Sequence, residues 1–141
     1  MKILITGGSG MVGRNFMDDL RVKNYTIFNP SSSELNLLNP ELVNAYIKKY
    51  MPDMIIHMAA KVGGIHSNIA NPSDYFSQNL EMGYNLISIS RKNGIRKMIN
   101  IGSSCMYPKN FPEPIKESDL LTGKFEETNE AYAMAKVSIA K

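Results

Sequence analysis

Short apolar runs alternate along the chain with longer stretches of helical period. Lys2 to Thr6 is apolar and ends in glycines, which suits a buried strand; from Met11 to Lys23 the apolar residues Val12, Phe16 and Leu20 then recur at helical spacing. Tyr25 to Phe28 reads as a second strand, followed by a loop at Asn29-Pro30-Ser31-Ser32-Ser33. Asn39-Pro40 has the form of an N-cap with proline at the first helical position, opening a helix that runs to Pro52. Asp53 to Met58 is a third apolar run. Asn71-Pro72 repeats the cap signature ahead of a long helix through Tyr75, Leu80, Leu86 and Ile87, which Gly94 can close, and Lys97 to Ile101 is a fourth strand. From Gly102 to Glu130 there is little regular pattern and three prolines, Pro108, Pro112 and Pro114, before a terminal helix near Asn129; a connection this long is usually functional.

Strands alternating with helices predict an α/β fold, a doubly wound parallel sheet covered on both faces. Ligands in such sheets gather at the carboxyl ends of the strands. Gly7 to Gly13, Asn29 to Asn36, Ala59 to Asn68 and Gly102 onward all fall there, and are expected to meet at one crevice.

The length of 141 residues fits one domain. The net charge of +3 is spread among both signs, and the basic pairs Arg91-Lys92 and Arg96-Lys97 flank a helix end, where cations complement the macrodipole, so nothing calls for a nucleic-acid partner. Ile3-Leu4-Ile5 is too short for a signal-peptide core, and no stretch approaches the ~18 apolar residues of a membrane span. A single cysteine allows no intrachain disulfide, which points to a reducing, cytoplasmic setting. The ten methionines read as core filler, and no metal is expected.

The chemistry begins at Thr6-Gly7-Gly8-Ser9-Gly10-Met11-Val12-Gly13, a G-x-x-G-x-x-G turn between first strand and first helix. Missing side chains allow a tight turn, close approach to a pyrophosphate and helix-on-strand packing, which points to a dinucleotide. After the second strand an acid would hold the ribose of NAD and an arginine the extra phosphate of NADP; Asn29 to Ser33 offers neither. The cofactor type stays open. Ser31 to Ser33 could bond a phosphate or form an ordinary turn, and Arg14 is either the nearest cation or a solvated helix residue. Tyr132 and Lys136 share one helix face at i, i+4, where an ammonium beside a phenol favours the phenolate. Gly102-Ser103-Ser104-Cys105-Met106-Tyr107 supplies hydroxyls after the fourth strand.

This combination resembles the extended short-chain dehydrogenase/reductase superfamily. Gly10-Met11-Val12-Gly13, Glu34 to Glu41, Ala59 to Asn68, Gly102 to Lys109 and Thr128 to Lys136 narrow the resemblance to the GDP-L-fucose synthase group, the GDP-4-keto-6-deoxymannose epimerase-reductases, along essentially the whole chain. The resemblance implies a Rossmann-type NAD(P)-binding domain in which Tyr132 donates a proton to the keto oxygen during hydride transfer. Lys136 would hold the nicotinamide ribose and lower the tyrosine's pKa, and Ser103 would orient the same oxygen. Gly7, Gly8, Ser9, Gly10, Met11, Val12 and Gly13 would cradle the pyrophosphate, Asn36 and Leu37 would meet the adenine, and Ala59, Ala60, Ile101, Gly102, Ser103 and Ser104 would line the route to the nicotinamide. In the family a cysteine at the position of Cys105 acts as the epimerisation base; the plainer reading is a small buried residue. His57 reads as a satisfied structural residue and His66 as no proton carrier, while Lys61 either lines the substrate site or is solvated.

The resemblance implies NADP with NAD not excluded, a GDP-linked keto-deoxy sugar as substrate, and a homodimer. Members that use NADPH carry arginine where this chain has Ser9 and Pro30 to Ser33, so serine hydroxyls, Arg14 or backbone amides would take over that contact. Family enzymes pair the cysteine with a histidine acid and continue into a sugar-binding domain. The 141 residues are therefore expected to be part of a longer polypeptide with little turnover alone, exposing apolar surface at Val137 and Ile139. Two other functions fit less well: a one-reaction enzyme for another GDP-keto sugar, such as a GDP-6-deoxy-4-keto-heptose, and a non-catalytic dinucleotide-binding regulator, which has no need for serine, tyrosine and lysine together.

Overall fold

The computed structural model describes residues 1–111 and 114–141, with Leu20 by its backbone only, so Pro112 of the long connection lies outside the described residues. Two units can be distinguished, Met1–Ala60 with Glu81–Ile101, and Lys61–Leu80 with Gly102–Lys141.

The first unit is built on a parallel sheet of β1 (Lys2–Thr6), β2 (Thr26–Phe28), β3 (Met54–His57) and β4 (Met98–Asn100) in the order β2-β1-β3-β4. All four expected strands form, each within a residue or two of its sequence bounds. Alternation along β1 divides the core between the two faces of the sheet. Leu4 and Ile55 pack with Val43 and Ile47 of α2 (Pro40–Tyr50) and with Leu86 and Ile89 of α4 (Pro72–Lys92). Ile3, Ile5 and Ile56 form the other cluster with Met17 of α1 (Met11–Met17) against it. Helices on both faces make the sheet doubly wound.

The cap signatures explain why α2 and α4 start and stop where they do. Asn39 Oδ1 accepts from the amides of Glu41 and Leu42 at 3.0 and 3.1 Å. Gly94, at φ +82°, ends α4 in the left-handed turn that brings the Ile95 amide back to the Ser90 carbonyl at 3.0 Å. Asn71 differs from the cap expected of it: its side-chain amide donates to the Ser67 carbonyl at 3.2 Å, closing the preceding helix α3 (Ile65–Ala70). Nothing in the periodicity announced α3, which occupies part of the segment read as a loop.

The first helix also departs from expectation. It ends at Met17, and Asp19 caps a separate 3-10 turn by accepting from the Arg21 amide at 2.9 Å. Val12 and Phe16 are exposed, whereas Gly13 is the helix's buried residue. A larger residue there would run into the backbone of the glycine turn, and Met17 is the α1 side chain that packs against the core of the sheet.

The second unit holds α3, the first half of α4, 3-10 turns at Ser104–Met106, Glu117–Asp119 and Glu127–Asn129, and α5 (Glu130–Ala140). On α5, Ala133, Lys136 and Val137 are buried together at i, i+3, i+4 while Met134 is exposed. Val137 is thus covered within this chain, contrary to the expected exposed apolar end, and Ile139 is half-buried. Among the described residues, no helix is long and apolar enough to cross a membrane.

Candidate functional site

The glycine turn follows β1 directly. Gly7 sits at φ +78°, and a Cβ there would fall 2.5 Å from the Ala59 amide nitrogen; a Cβ on Gly13 would fall 2.4 Å from both the Gly7 carbonyl oxygen and the Gly8 α-carbon. Gly10 is different. A Cβ there would meet one atom, the Gly7 carbonyl oxygen, at 3.2 Å, and Gly10 caps α1 without any side-chain bond. Gly8, outside the triplet spacing, is less constrained than Gly7 and Gly13: a Cβ there would land 2.1 Å from Oδ1 of the Asn29 side chain, which can swing away, and not on backbone. Ser9, Met11 and Val12 are exposed at the turn. Arg14 is tied back to it, Nε donating to the Ser9 carbonyl at 2.8 Å.

After β2, the serines form a self-contained turn. Ser31 gives both its amide and its hydroxyl to the Glu34 carboxylate at 2.8 Å, and its hydroxyl lies 2.9 Å from that of Ser33. These bonds hold Glu34 below the usual carboxylate range. Of the pair expected at the adenine, Asn36 is exposed, while the Leu37 side chain lies in the core and its carbonyl accepts from Asn85 at 2.9 Å. Ala59 and Ala60 are half-buried at the end of the third strand's segment, with Ala59 against Gly7. His57 is buried with Nδ1 2.6 Å from the Thr6 hydroxyl, a structural placement, and its carbonyl accepts from the Ile101 amide at 3.0 Å.

The second unit brings Ser103, Cys105, Tyr132 and Lys136 into two adjoining elements, a 3-10 turn and α5. Ser103 caps the turn, its Oγ accepting from the Cys105 amide at 3.3 Å; Gly102 and Ser104 beside it are exposed. Burial raises the Tyr132 pKa, charge on Cys105 raises it further because phenolate and thiolate repel, and hydrogen bonding to Ser103 pulls it back. Lys136 is 3% exposed, and burial pushes its pKa down. The spacing suggested that Lys136 would lower the tyrosine's pKa. Here burial governs both groups, and the tyrosine rests as a neutral phenol.

Tyr132 and Cys105 line a cavity of about 160 Å³ with Asn129, Val62, Ile65 and Tyr75, among others. That is smaller than the roughly 300–1,000 Å³ of pockets that enclose whole drug-sized ligands. It is the size for one part of a larger molecule. Val62 and Ile65 fall in the Ala59 to Asn68 loop and Asn129 in the Thr128 to Lys136 motif, but the sequence singled out none of them, nor Tyr75, because their residue types carry no chemistry of their own. Tyr75 is buried and donates to the Ser67 hydroxyl at 2.8 Å. Lys61, left between two readings, pairs with Asp74 at 2.9 Å and lies 5.6 Å from the Tyr75 ring centre. His66 is exposed.

Residues 3–141 match the family described as NAD dependent epimerase/dehydratase. The chain is 48% identical over 141 residues to a GDP-L-colitose synthase of Yersinia pseudotuberculosis, all of this chain and 46% of that protein. It is 46% identical over 135 residues to a GDP-L-fucose synthase of Azorhizobium caulinodans, 96% of this chain and 43% of that protein. It thus spans less than half the length of these relatives. Among solved structures, a GDP-mannoheptose C4 reductase from Campylobacter jejuni with NADP bound superposes with a TM-score of 0.91 at 29% identity, over 99% of this chain and 44% of that one.

Proposed function

The chain belongs to the NAD dependent epimerase/dehydratase family, and within it we propose that it carries the nucleotide-binding and catalytic residues of an NADPH-dependent epimerase-reductase acting on a GDP-linked 4-keto-6-deoxy sugar. The observation that carries this reading is the shared cavity, in which the Tyr132 phenol and the Cys105 thiol line one space. A reductase alone needs the phenol. A thiol facing the same ligand adds a base suited to the acidic carbons that flank a ketone. The names of the relatives, which make GDP-L-colitose and GDP-L-fucose, supply the substrate class.

Bound NADPH supplies the hydride that reduces the ketone. The chain's own residues do the proton work. A Cys105 thiolate takes a carbon-bound proton beside the ketone, and the C–H electron pair forms the C=C bond of an enolate as the C=O π pair moves onto oxygen. Collapse of the enolate with uptake of a proton from a solvent-derived acid on the opposite face inverts the carbon. Charge on Cys105 raises the Tyr132 pKa, so while the base is ionised the phenol keeps its proton and can hydrogen-bond the developing enolate. In the reductive step Tyr132 gives that proton to the keto oxygen, with the Ser103 hydroxyl beside it. Gly7 to Gly13 hold the pyrophosphate, Lys136 the nicotinamide ribose, and Asn36 the adenine end.

NADP is carried over from the Campylobacter reductase, solved with it bound. Ser31 is engaged with Glu34 and with Ser33, so Arg14 and backbone amides are the groups we assign to the extra phosphate. Arg14→Ala is expected to reduce the preference for NADPH over NADH in kcat/KM. The reading includes a homodimer, to be measured by light scattering, and a cytosolic setting.

The decisive experiment incubates the intact protein with NADPH and GDP-4-keto-6-deoxymannose in deuterium oxide. NADPH should be consumed and deuterium should enter the carbons flanking the ketone. Tyr132→Phe should abolish the first process, and Cys105→Ser the second. Neither process occurring in the parent protein would sink the proposal.

A further inference from the structure

Asn129 behaves unlike the helix cap its position suggests. It is the N-cap residue of α5, where an asparagine ordinarily accepts from the amides of the first turn, yet its side chain makes no cap bond. Its Nδ2 reaches instead across the chain to Cys105 Sγ at 3.3 Å. Its Oδ1 is buried with no hydrogen-bond partner among the described residues. Forgoing the cap and leaving a buried acceptor unpaired both cost stability, so the amide is held at Cys105 at the expense of the fold. It lines the same cavity as Cys105 and Tyr132.

We propose that Asn129 is a positioning residue for Cys105: its side-chain N–H holds the ionised sulfur at the cavity wall, in the orientation from which it takes a carbon-bound proton. This rests on the reading of Cys105 as the epimerisation base. An N–H bond to a thiolate is charge-assisted and stronger than one to a neutral thiol, so the contact favours the form that acts as base and weakens once the S–H bond has formed. As the N-cap residue, Asn129 also sets the sulfur at the positive end of α5, which favours the same form.

Asn129→Asp tests this while keeping the side-chain shape and a residue type able to cap a helix, and a circular dichroism melt checks that the variant is folded. It replaces the donor with an anion. In the intact protein, alkylation of Cys105 by iodoacetamide, followed by mass spectrometry across a pH series, should slow by roughly tenfold at neutral pH and move its midpoint upward. Deuterium entry beside the ketone should fall by a similar factor, and by more than NADPH oxidation with an already epimerised ketone falls. Asn129→Ser, with a hydroxyl donor, should recover part of the alkylation rate. An alkylation profile unchanged in Asn129→Asp overturns the inference and leaves the base reading standing. Deuterium entry unchanged in Cys105→Ser removes the base reading, and the inference with it.

Discussion

The glycine turn treats its three spaced glycines alike as a motif, and the backbone around them does not. A methyl at Gly13 would sit 2.4 Å from the Gly7 carbonyl oxygen and the Gly8 α-carbon and 2.6 Å from the Gly8 carbonyl carbon. Ordinary non-bonded separation is about 3.5 Å or more, so α1 would have to withdraw by roughly an ångström. The turn has little room to yield instead, because Gly7 lies against the backbone of Met58 and Ala59. Overpacking of this kind costs about 1–3 kcal/mol, which for a chain of this size lowers Tm by roughly 3–10 °C. At Gly10 the one neighbour, at 3.2 Å, need give only a few tenths of an ångström, and exchanging glycine for alanine at a cap costs about 1 kcal/mol or less. Gly10→Ala should therefore leave Tm nearly unchanged and still weaken NADPH, since the methyl projects where a pyrophosphate would approach the backbone. Gly13→Ala should lose both stability and nucleotide. Circular dichroism melts and NADPH fluorescence titrations separate the two. Equal losses of Tm in the two variants, or unchanged NADPH affinity in Gly10→Ala, would refute the reasoning.

Gly63→Ala places a methyl 2.0 Å from the Tyr75 hydroxyl of a rigid buried ring; breaking the bond to Ser67 should cost about 1–3 kcal/mol in urea unfolding and raise KM for the sugar more than it lowers kcat. Asn39→Ala removes the acceptor for two amides of α2, and a loss of about 0.5–2 kcal/mol is expected in the same assay, with NADPH affinity unchanged. Tyr132 has a raised pKa, so its contribution to stability is complete below the ordinary phenol value of about 10 and is lost as pH rises through the folded value. Lys136 has a lowered pKa; its contribution is present above the ordinary lysine value of about 10.4 and is lost as pH falls through the folded value. Urea midpoints between about pH 9 and 11 should then decline less steeply in Tyr132→Phe than in the parent, and more steeply in Lys136→Met; identical slopes in all three would contradict both assignments.

Elements governed by local chemistry are legible in the sequence. The four strands are short apolar runs ended by glycine or polar residues, and α2 and α4 are bracketed by Asn39-Pro40 and by Gly94, so local signals and tertiary packing agree. The failures occur where packing depends on something periodicity does not carry. Val12 and Phe16 share a helical stripe and are exposed, whereas Met17 packs against the core of the sheet and Gly13 lets α1 sit against the glycine turn, a role that hydrophobic spacing scores as nothing. Helix α3 is six residues long and begins at Gly64 without a side-chain cap, so neither a start signal nor a full period marks it. Leu37 falls in a motif shared with the family, and its side chain is nonetheless committed to the core.

The same division runs through the candidate site, with charge in place of packing. Residue type and spacing placed Tyr132 and Lys136 on one helix face, and the structure keeps them there. Spacing also implied that the ammonium lowers the phenol's pKa, an inference that assumes a well-solvated, fully charged lysine. Lys136 is 3% exposed and burial pushes its pKa down, so burial opposes the charged form on which that inference relies. What acts on Tyr132 besides burial is Cys105, 27 positions earlier in chain order. Burial therefore pushes both groups toward neutrality, with charge on Cys105 adding to the rise at Tyr132 and the bond to Ser103 opposing it.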